Sequence, residues 1–229
     1  KRLGGSVVIA PYHRPMPHDT TRRLRTRRIR RSGPMVVLAV VIALALGACG
    51  PGFDPTGPCT ADGSMAGAYP DLEGLVPTTF RSAPPKQLDS GRTCTKDGLA
   101  TLAGHGVEEL RFAGGTWDTG TDSGLSLAIF TDANGPTLDP AWLTEFYEAG
   151  ARTGKNVQSV VTSDYSIGGD IAGRRIDVLN GESFQTVVIW PRDGRVAVAL
   201  IGDFIREIQT RDAHDKVVRE AVDAFRIGA

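Results

Sequence analysis

The chain has 229 residues, of which 26 are lysine or arginine and 26 are aspartate or glutamate, so its formal net charge is zero. The charges are unevenly placed, because the first 48 residues hold ten basic residues and one acidic residue, which leaves 16 basic and 25 acidic residues after them. A net charge of −9 on this remainder does not suit electrostatic binding of nucleic acid or anionic lipid headgroups, which needs clustered positive charge. We therefore expect no nucleic-acid partner.

The N-terminal segment has the layout of an export signal. Seven arginines lie between Arg22 and Arg31, and fourteen mostly apolar residues follow from Met35 to Ala48. Fourteen residues are fewer than the roughly 20 that span a bilayer as a helix, but they suit the apolar part of a signal peptide, with the basic side retained in the cytoplasm. The sequence does not open with methionine, so Met16 and Met35 are alternative starts.

The apolar segment ends in Leu46-Gly47-Ala48-Cys49. This tetrapeptide resembles the lipobox of bacterial lipoprotein signal peptides, in which the cysteine thiol receives a diacylglyceryl group and becomes the mature N-terminus. The resemblance implies that residues 1–48 are removed and that Cys49 carries a lipid. It also implies a protein anchored to the extracytoplasmic side of the cell membrane. The alternative is an ordinary signal peptide cut near residues 43–45, which would leave Cys49 as a free or disulfide-bonded thiol.

With Cys49 lipidated, Cys59 and Cys94 are the remaining cysteines. Exported proteins meet oxidising conditions, so we predict a disulfide between them, with two buried free thiols as the alternative. Residues 49–75 are rich in Gly, Pro and Asp without sustained periodicity, which predicts a flexible tether. About 155 residues remain, the size of one domain, and we place that domain at residues 76–229.

The first half of the domain gives the weaker structural signals. In chain order the pattern predicts a short strand at 76–80, a turn at 89–93, a helix at 95–103 ended by Gly104, and strands at 107–113 and 125–131. Gly114–Gly124 between the last two is expected to be a flexible hairpin connection, with a functional loop as the alternative.

Asp139-Pro140 opens the clearest helix, because Asp caps free N–H groups and Pro suits the first helical position. We expect Gly154 to supply a left-handed C-cap. The stripe at i, i+3, i+4 and i+7 predicts a buried face made of Leu143, Phe146, Tyr147 and Gly150.

Four strands are predicted next, at 157–163, 171–179, 183–190 and 195–201. Turns at Asn180-Gly181 and Asp193-Gly194 join the last three into an antiparallel meander. If both are three-residue loops, Ile176 pairs with Phe184 and Val188 pairs with Val198. This register directs one set of apolar residues to a single face, comprising Ile176, Val178, Phe184, Val188, Trp190, Val196, Val198 and Leu200.

A final helix over 212–227 carries Val218, Ala221, Val222 and Phe225 on one stripe. The predicted fold class is therefore α+β, a single domain with helices packed on an antiparallel sheet. In element order alone this outline resembles the Mog1/PsbP-like exported lipoproteins, and the resemblance transfers no functional residue.

No catalytic, metal or cofactor site is predicted. His105 lies in a glycine turn and His214 in the first turn of the last helix beside Asp212 and Asp215, which indicates a solvated helix end. Asp118, Gly120 and Asp122 imitate the start of a calcium loop, but Ile129 stands where the bidentate Glu is required. The basic residues Arg174, Arg175, Arg192 and Arg195, with Asp177 among them, are expected to pair with nearby carboxylates at the surface.

These observations favour a lipid-anchored envelope protein that binds a protein or a small ligand and is not an enzyme. Two alternatives stay open at this point. One is an envelope hydrolase with an unrecognised carboxylate site, which would need polar groups converging in an apolar pocket. The other is a structural envelope component, which would be favoured if no concave site exists.

Overall fold

The computed structural model describes residues 53–135 and 138–227. Cys49, the export segment and the two alternative start residues therefore lie outside the described residues. The strands are β1 (Gly63–Met65), β2 (Gln87–Thr93), β3 (Leu110–Asp118), β4 (Gly124–Asp132), β5 (Val157–Gly168), β6 (Ile171–Asn180), β7 (Ser183–Arg192) and β8 (Arg195–Phe204). The α-helices are α1 (Pro70–Glu73), α2 (Lys96–Leu99), α3 (Pro140–Arg152), α4 (Ile205–Ile208) and α5 (Arg211–Ile227), and Ala100–His105 is a 3-10 helix.

All eight strands form one antiparallel sheet in the order β1-β2-β3-β4-β8-β7-β6-β5. Two four-stranded meanders, β1 to β4 and β5 to β8, meet where β4 pairs with β8. The predicted α+β class, with an antiparallel sheet that includes the C-terminal meander, is thereby confirmed. β1 and β5 are the two edges of the sheet.

Apolar side chains are buried on both faces of the central strands. Every residue from Val187 to Trp190 and from Val196 to Ile201 is buried, as expected for strands that are covered on both sides. Alternate residues belong to two different hydrophobic clusters. The first, here called the α5-side cluster, contains Val188, Trp190, Leu127, Ile129 and Ile201 with Val218, Ala221, Val222 and Phe225 of α5. The second, the α3-side cluster, contains Val187, Ile189, Ile176, Val196 and Val198 with Leu143 and Tyr147 of α3.

The predicted register of the last hairpin is wrong by one residue. Arg192 pairs with Arg195, so the connection is the two-residue loop Asp193-Gly194, with φ of 49° and 73°. Positive φ at both loop residues is typical of a type I′ turn, whose twist matches the twist of the two strands that it joins. Val188 therefore faces Ala199, and Val198 faces Ile189. The alternation of apolar residues predicted the wrong register because both sides of these strands are apolar. Such a pattern does not identify one inner face.

The β6–β7 hairpin differs from the prediction by three residues, because Ile176 was expected opposite Phe184. Asn180 pairs with Ser183, which makes Gly181-Glu182 the loop and sets Ile176 opposite Val187. Asn180 stays in the strand because its side chain oxygen accepts hydrogen bonds from the Ser183 N–H (3.1 Å) and hydroxyl (2.9 Å). Phe184, expected in the core, is only half-buried.

The folded region begins before residue 76, so part of the segment predicted to be a tether belongs to the domain. β1 pairs with β2, and Leu72 of α1 is buried in the α5-side cluster. Residues 76–80 form no strand, although Val76 and Phe80 are buried. The turn predicted at 89–93 lies within β2, where Gly91 lets the Gly63 carbonyl approach more closely than any side chain would allow.

The glycine-rich segment Gly114–Gly124 does connect a hairpin, as expected, but only residues 119–123 form its loop. β3 continues to Asp118, and the Trp117 ring occupies the space that a side chain at Gly115 would need. Glycine here makes room for a buried indole, a role that local sequence cannot distinguish from a flexible connection. The remaining loop is held by Glu207, which accepts from the Ser123 hydroxyl (2.6 Å) and the Asp122 N–H (3.0 Å).

The helix starts follow the predicted caps more closely than the helix ends do. Asp139 accepts a hydrogen bond from the Ala141 N–H (2.8 Å), and α3 begins at Pro140 as expected. Gly154 does not have a positive φ, so it is not the predicted left-handed cap, and Thr153 in the right-handed helical region follows the last residue of α3. The predicted helix over 95–103 becomes α2 and the 3-10 helix, which ends at left-handed Gly106 and not at Gly104.

Candidate functional site

Cys59 and Cys94 lie at disulfide-bonding distance, with Cα atoms 6.1 Å apart, as predicted. The bond joins the segment before β1 to the end of β2. Asp62 reinforces this junction, because its carboxylate accepts from the Cys94 N–H (2.8 Å) and the Thr95 N–H (2.9 Å).

The disulfide is expected to stabilise the domain by about 3–4 kcal/mol, because it closes a 35-residue loop in the unfolded chain. Non-reducing peptide mapping of the native protein should recover Cys59 and Cys94 in one linked peptide. Two alkylatable thiols in the native protein would refute the pairing.

His214 is fully buried, which corrects the prediction of a solvated helix end. Its Nδ1 lies 2.6 Å from Asp203 Oδ2, and its Nε2 lies 2.8 Å from Thr186 Oγ1. Asp203 is 1% exposed and Thr186 is 0% exposed, so all three groups are sealed from solvent. The signal was present in the sequence, because His214 precedes Val218 and Ala221 at i+4 and i+7 on the buried stripe of α5.

Asp203, His214 and Thr186 have the order of an acid, a base and a hydroxyl nucleophile. The hydroxyl cannot serve as a nucleophile here, because it is buried and donates a 2.6 Å hydrogen bond to Asp177 Oδ1. A substrate carbonyl needs space within about 3 Å of the attacking oxygen, and the packed Thr186 provides none. The arrangement therefore fits a buried polar connection better than a catalytic triad.

The Thr186 hydroxyl links this buried pair to a group of ionised side chains nearer the surface. We call the whole set the charge network, and its members are Arg175, Asp177, Asp203, Arg211, His214 and Asp215. Arg175 Nε lies 2.9 Å from Asp177 Oδ2, and Arg211 Nε lies 3.3 Å from Asp215 Oδ1. Arg175 also pairs with Asp215, and Arg211 with Asp177. Burial opposes ionisation of Asp215, but the hydrogen bond and the charge of Arg175 outweigh it and hold the pKa of Asp215 below its usual value.

The other predicted basic residues also have partners. Arg174 pairs with Asp164 on β5. Arg192 donates to the Phe225 carbonyl (2.8 Å) near the C-terminal end of α5, where a cation is favourable. Arg195 makes a long contact with the Asp193 carbonyl (3.4 Å). The predicted pairing with nearby carboxylates therefore describes Arg174 and Arg175, whereas Arg192 and Arg195 contact backbone carbonyls.

The remaining candidate residues do not converge. The His105 ring stacks on Trp142, with centroids 5.0 Å apart, and its Nε2 lies 2.7 Å from Glu145. Of the calcium-like residues, Asp118 pairs with Lys86 and Asp122 pairs with Arg206. Among residues 53–135 and 138–227, no cluster of three His, Cys, Asp or Glu is placed to hold a metal ion.

An open groove of about 700 Å³ lies between α3 and β6, and we call it the α3 groove. Its lining combines small and charged side chains, namely Ala141, Thr144, Glu145, Glu148, Ala149, Arg152 and Arg174. Hydrogen bonds from Arg152 and from the Thr162 hydroxyl hold the pKa of Glu148 below its usual value. No sequence pattern indicated this groove, because α3 and β6 are separate elements that meet only in the folded chain.

The β5–β6 hairpin extends beside the α3 groove. Arg174 lines the groove and pairs with Asp164, and a smaller cavity of about 340 Å³ lies around residues 164–172 at the tip of the hairpin. β5 is an edge strand of twelve residues with Asp164 as its single charged residue. Val161, at its centre, is 56% exposed.

Comparison of the chain with models of known protein families and with curated protein sequences found no match. In the part of the chain that the structure describes, no helix combines the length and the apolar character that crossing a membrane requires.

Proposed function

We propose that this chain is a lipoprotein of the bacterial cell envelope, anchored through Cys49 on the extracytoplasmic side, whose domain binds a protein or small-molecule ligand without catalysing a reaction. The lipobox-like Leu46-Gly47-Ala48-Cys49 supports the anchor. The disulfide between Cys59 and Cys94 supports an oxidising compartment. The observation that carries the binding role is the α3 groove with the edge of β5 beside it, which no other described strand pairs with.

The layering of the domain explains why a binding surface would lie there. We take the two hydrophobic clusters to mean that α3 and α5 cover opposite faces of the sheet. At the tip of the β5–β6 hairpin, Asp164, Ser166, Asp170, Ile171 and Ala172 are exposed, whereas Ile167 is buried in the α5-side cluster. Ligand sites are concave surfaces, and the α3 groove is a concave surface beside this hairpin.

The edge strand β5 adds support for a protein partner. Natural edge strands are commonly protected by lysines, prolines or very short length, because an unpaired edge accepts a further strand. β1, at the other edge, has three residues, whereas β5 has twelve and contains neither lysine nor proline. Its register irregularities lie near its two ends, at Val157/Ser159 and Ser166/Gly168, and leave residues 159–166 regularly paired. An extended segment of a partner would pair with β5 and place side chains near the α3 groove.

An enzymatic role has less support. The described histidines are His214, which is sealed, and His105, which stacks on Trp142 and contacts Glu145. In the α3 groove, Glu148 forms an ion pair with Arg152, and Arg174 forms an ion pair with Asp164. Charges paired in this way serve recognition better than proton transfer.

Filling the α3 groove should weaken binding strongly. Ala149 is exposed on α3 and lines the groove, so Ala149→Trp places an indole in the space that a ligand would occupy. We expect capture of envelope components by the immobilised domain to fall by roughly tenfold or more, the loss typical of a blocked interface centre.

The matched control is Ala66→Trp, which adds the same indole at an exposed turn near β1. This variant should capture the same components as the wild type, and both variants should melt at the wild-type temperature. A wild-type domain that captures nothing above background, or an Ala149→Trp variant as effective as the wild type, would contradict the proposed role of the groove.

A further inference from the structure

Residues 53–62, which precede β1, are fastened to the end of β2. The buried guanidinium of Arg92 donates to the Asp54 carbonyl (2.7 Å) and to the Pro58 carbonyl (3.1 Å). The disulfide adds a covalent bond to the same region of β2. These contacts keep the segment on the domain, so it does not act as part of a long flexible link.

The attachment leaves a short link to the proposed lipid site. Residues 50–52 separate Cys49 from Phe53, whose ring occupies the space that a side chain at Gly63 in β1 would need. A chain extends by at most about 3.6 Å per residue, so the Cα atom of Phe53 lies within roughly 14 Å of that of Cys49. A lipid on Cys49 would therefore bring the start of β1 close to the bilayer.

The domain surface beside this link is uncharged and partly apolar. The end of β1 and the turn after it expose Met65, Ala66 and Gly67, and we call these three residues the β1 surface. No charged residue occurs between Gly63 and Pro70, although the chain after residue 48 is acidic. Anionic lipid headgroups therefore do not repel this surface as they repel carboxylates.

Met65 also stands apart from the other exposed apolar side chains. In the described part of the chain, the large apolar side chains that are exposed are Met65 (46%), Val161 (56%) and Ile171 (40%). Val161 and Ile171 lie on β5 and β6, at the opposite side of the sheet from β1. Met65 is thus the one beside the link to Cys49.

Hydrogen bonds hold the β1 surface in a fixed shape. Glu73 accepts from the Gly67 N–H (2.7 Å) and from the Ser90 hydroxyl (2.7 Å), and Ser90 Oγ accepts from the Tyr69 N–H (2.6 Å). The carboxylate of Glu73 is thereby engaged within the turn, whereas Asp71 in α1 is exposed and marks the limit of the uncharged surface. A surface that is already ordered loses little conformational entropy when it makes a contact.

We propose that the β1 surface is the part of the domain that contacts the lipid bilayer, a proposal that rests on the proposed anchor at Cys49. Met65 places its side chain at the boundary between headgroups and acyl chains, where apolar side chains of peripheral proteins are buried. The contact orients the domain, while the lipid supplies the attachment. β5 lies at the opposite edge of the sheet, so β5 and the α3 groove face away from the bilayer and stay open to a partner.

Labelling of single cysteines in the full, membrane-attached chain tests this orientation. The reagent is a maleimide on a long polyethylene glycol chain, which is too bulky for the gap between a domain and a bilayer. Met65→Cys should react roughly tenfold more slowly than Lys155→Cys, a factor that corresponds to about 1.4 kcal/mol of exclusion. Lys155 is the matched control because it is exposed just before β5, and Cys59 and Cys94 do not react while they are disulfide-bonded.

Ala66→Cys is a second variant of the β1 surface, and it should react as slowly as Met65→Cys. Equal labelling of both positions and of Lys155→Cys, in a chain that remains in the membrane fraction, would overturn the proposal and leave the anchor intact. A chain found in the soluble fraction would refute the anchor and, with it, the contact.

A longer link distinguishes the bilayer from any other cover. Inserting about 20 Gly and Ser residues between Gly52 and Phe53 adds roughly 25 Å of mean reach and keeps both the lipid site and the domain. In this chain, Met65→Cys should react as fast as Lys155→Cys. Slow labelling that persists with the long link would mean that another protein covers the β1 surface, and it would overturn the proposal.

Discussion

Replacing Ile189 or Trp190 singly with alanine should lower the free energy of unfolding by about 2–5 kcal/mol in both cases, although the two residues are adjacent. Ile189 is 0% exposed in the α3-side cluster, and Trp190 is 2% exposed in the α5-side cluster. Trp190 also packs edge-on against Phe225, with centroids 5.5 Å apart. Neighbours on a strand point to opposite faces, so two large losses mean that both faces of the sheet are buried.

The matched control for this pair is Phe184→Ala on the same strand. Phe184 is half-buried and contacts His214 and Arg211, so its loss should cost about 1–2 kcal/mol. Urea unfolding followed by circular dichroism gives all three values. A small loss at Ile189 together with a large loss at Phe184 would contradict the two-sided core and return support to the register predicted from sequence.

Local signals predicted the elements whose causes are local. Asp139-Pro140 opens α3 because a cap and a first-turn proline act within three residues. The four strands of the C-terminal meander follow from short alternating runs separated by glycine turns. The buried stripe of α5 follows in the same way from its spacing, and Val218, Ala221 and Phe225 are each 0% exposed.

Two features could not be predicted, namely the register of the C-terminal hairpins and the extent of the strands in the N-terminal half. Both depend on residues that are distant in sequence. Alternation identifies an inner face only when the other face is polar, and β7 and β8 are apolar on both. In the sequence, Gly91 and Gly115 indicate a turn and a loop, whereas in the structure they accommodate the Gly63 carbonyl and the Trp117 ring. Such close approaches are visible only once the partner strand is in place.

The site residues show the same division. The buried stripe of α5 included the position of His214, but its partners come from other elements, with Thr186 28 residues away and Asp203 11 residues away. The α3 groove joins α3, which ends at Arg152, to Arg174 on β6, and the whole of β5 lies between the two in sequence. Spacing rules predict which face of an element is buried, and they do not predict which polar groups meet there.

The anchor is the central claim of the proposed function, because it sets the compartment in which the domain folds and the surface at which it binds. A diacylglyceryl group holds a protein to a bilayer through apolar burial of its chains, at about 0.8 kcal/mol per buried methylene. Two chains together give stable attachment that salt does not weaken. The acidic character of the chain after residue 48 offers no second means of attachment to anionic lipid.

Fractionation of cells that express the full chain, wild type or Cys49→Ala, tests this claim most directly. The wild type should remain in the membrane fraction after a high-salt wash and should move into the detergent phase. The Cys49→Ala variant should lose this attachment and appear in the soluble fraction, whereas Cys59→Ala, the matched control, should stay with the membrane. A Cys49→Ala protein that remains membrane-bound after the wash would contradict the account.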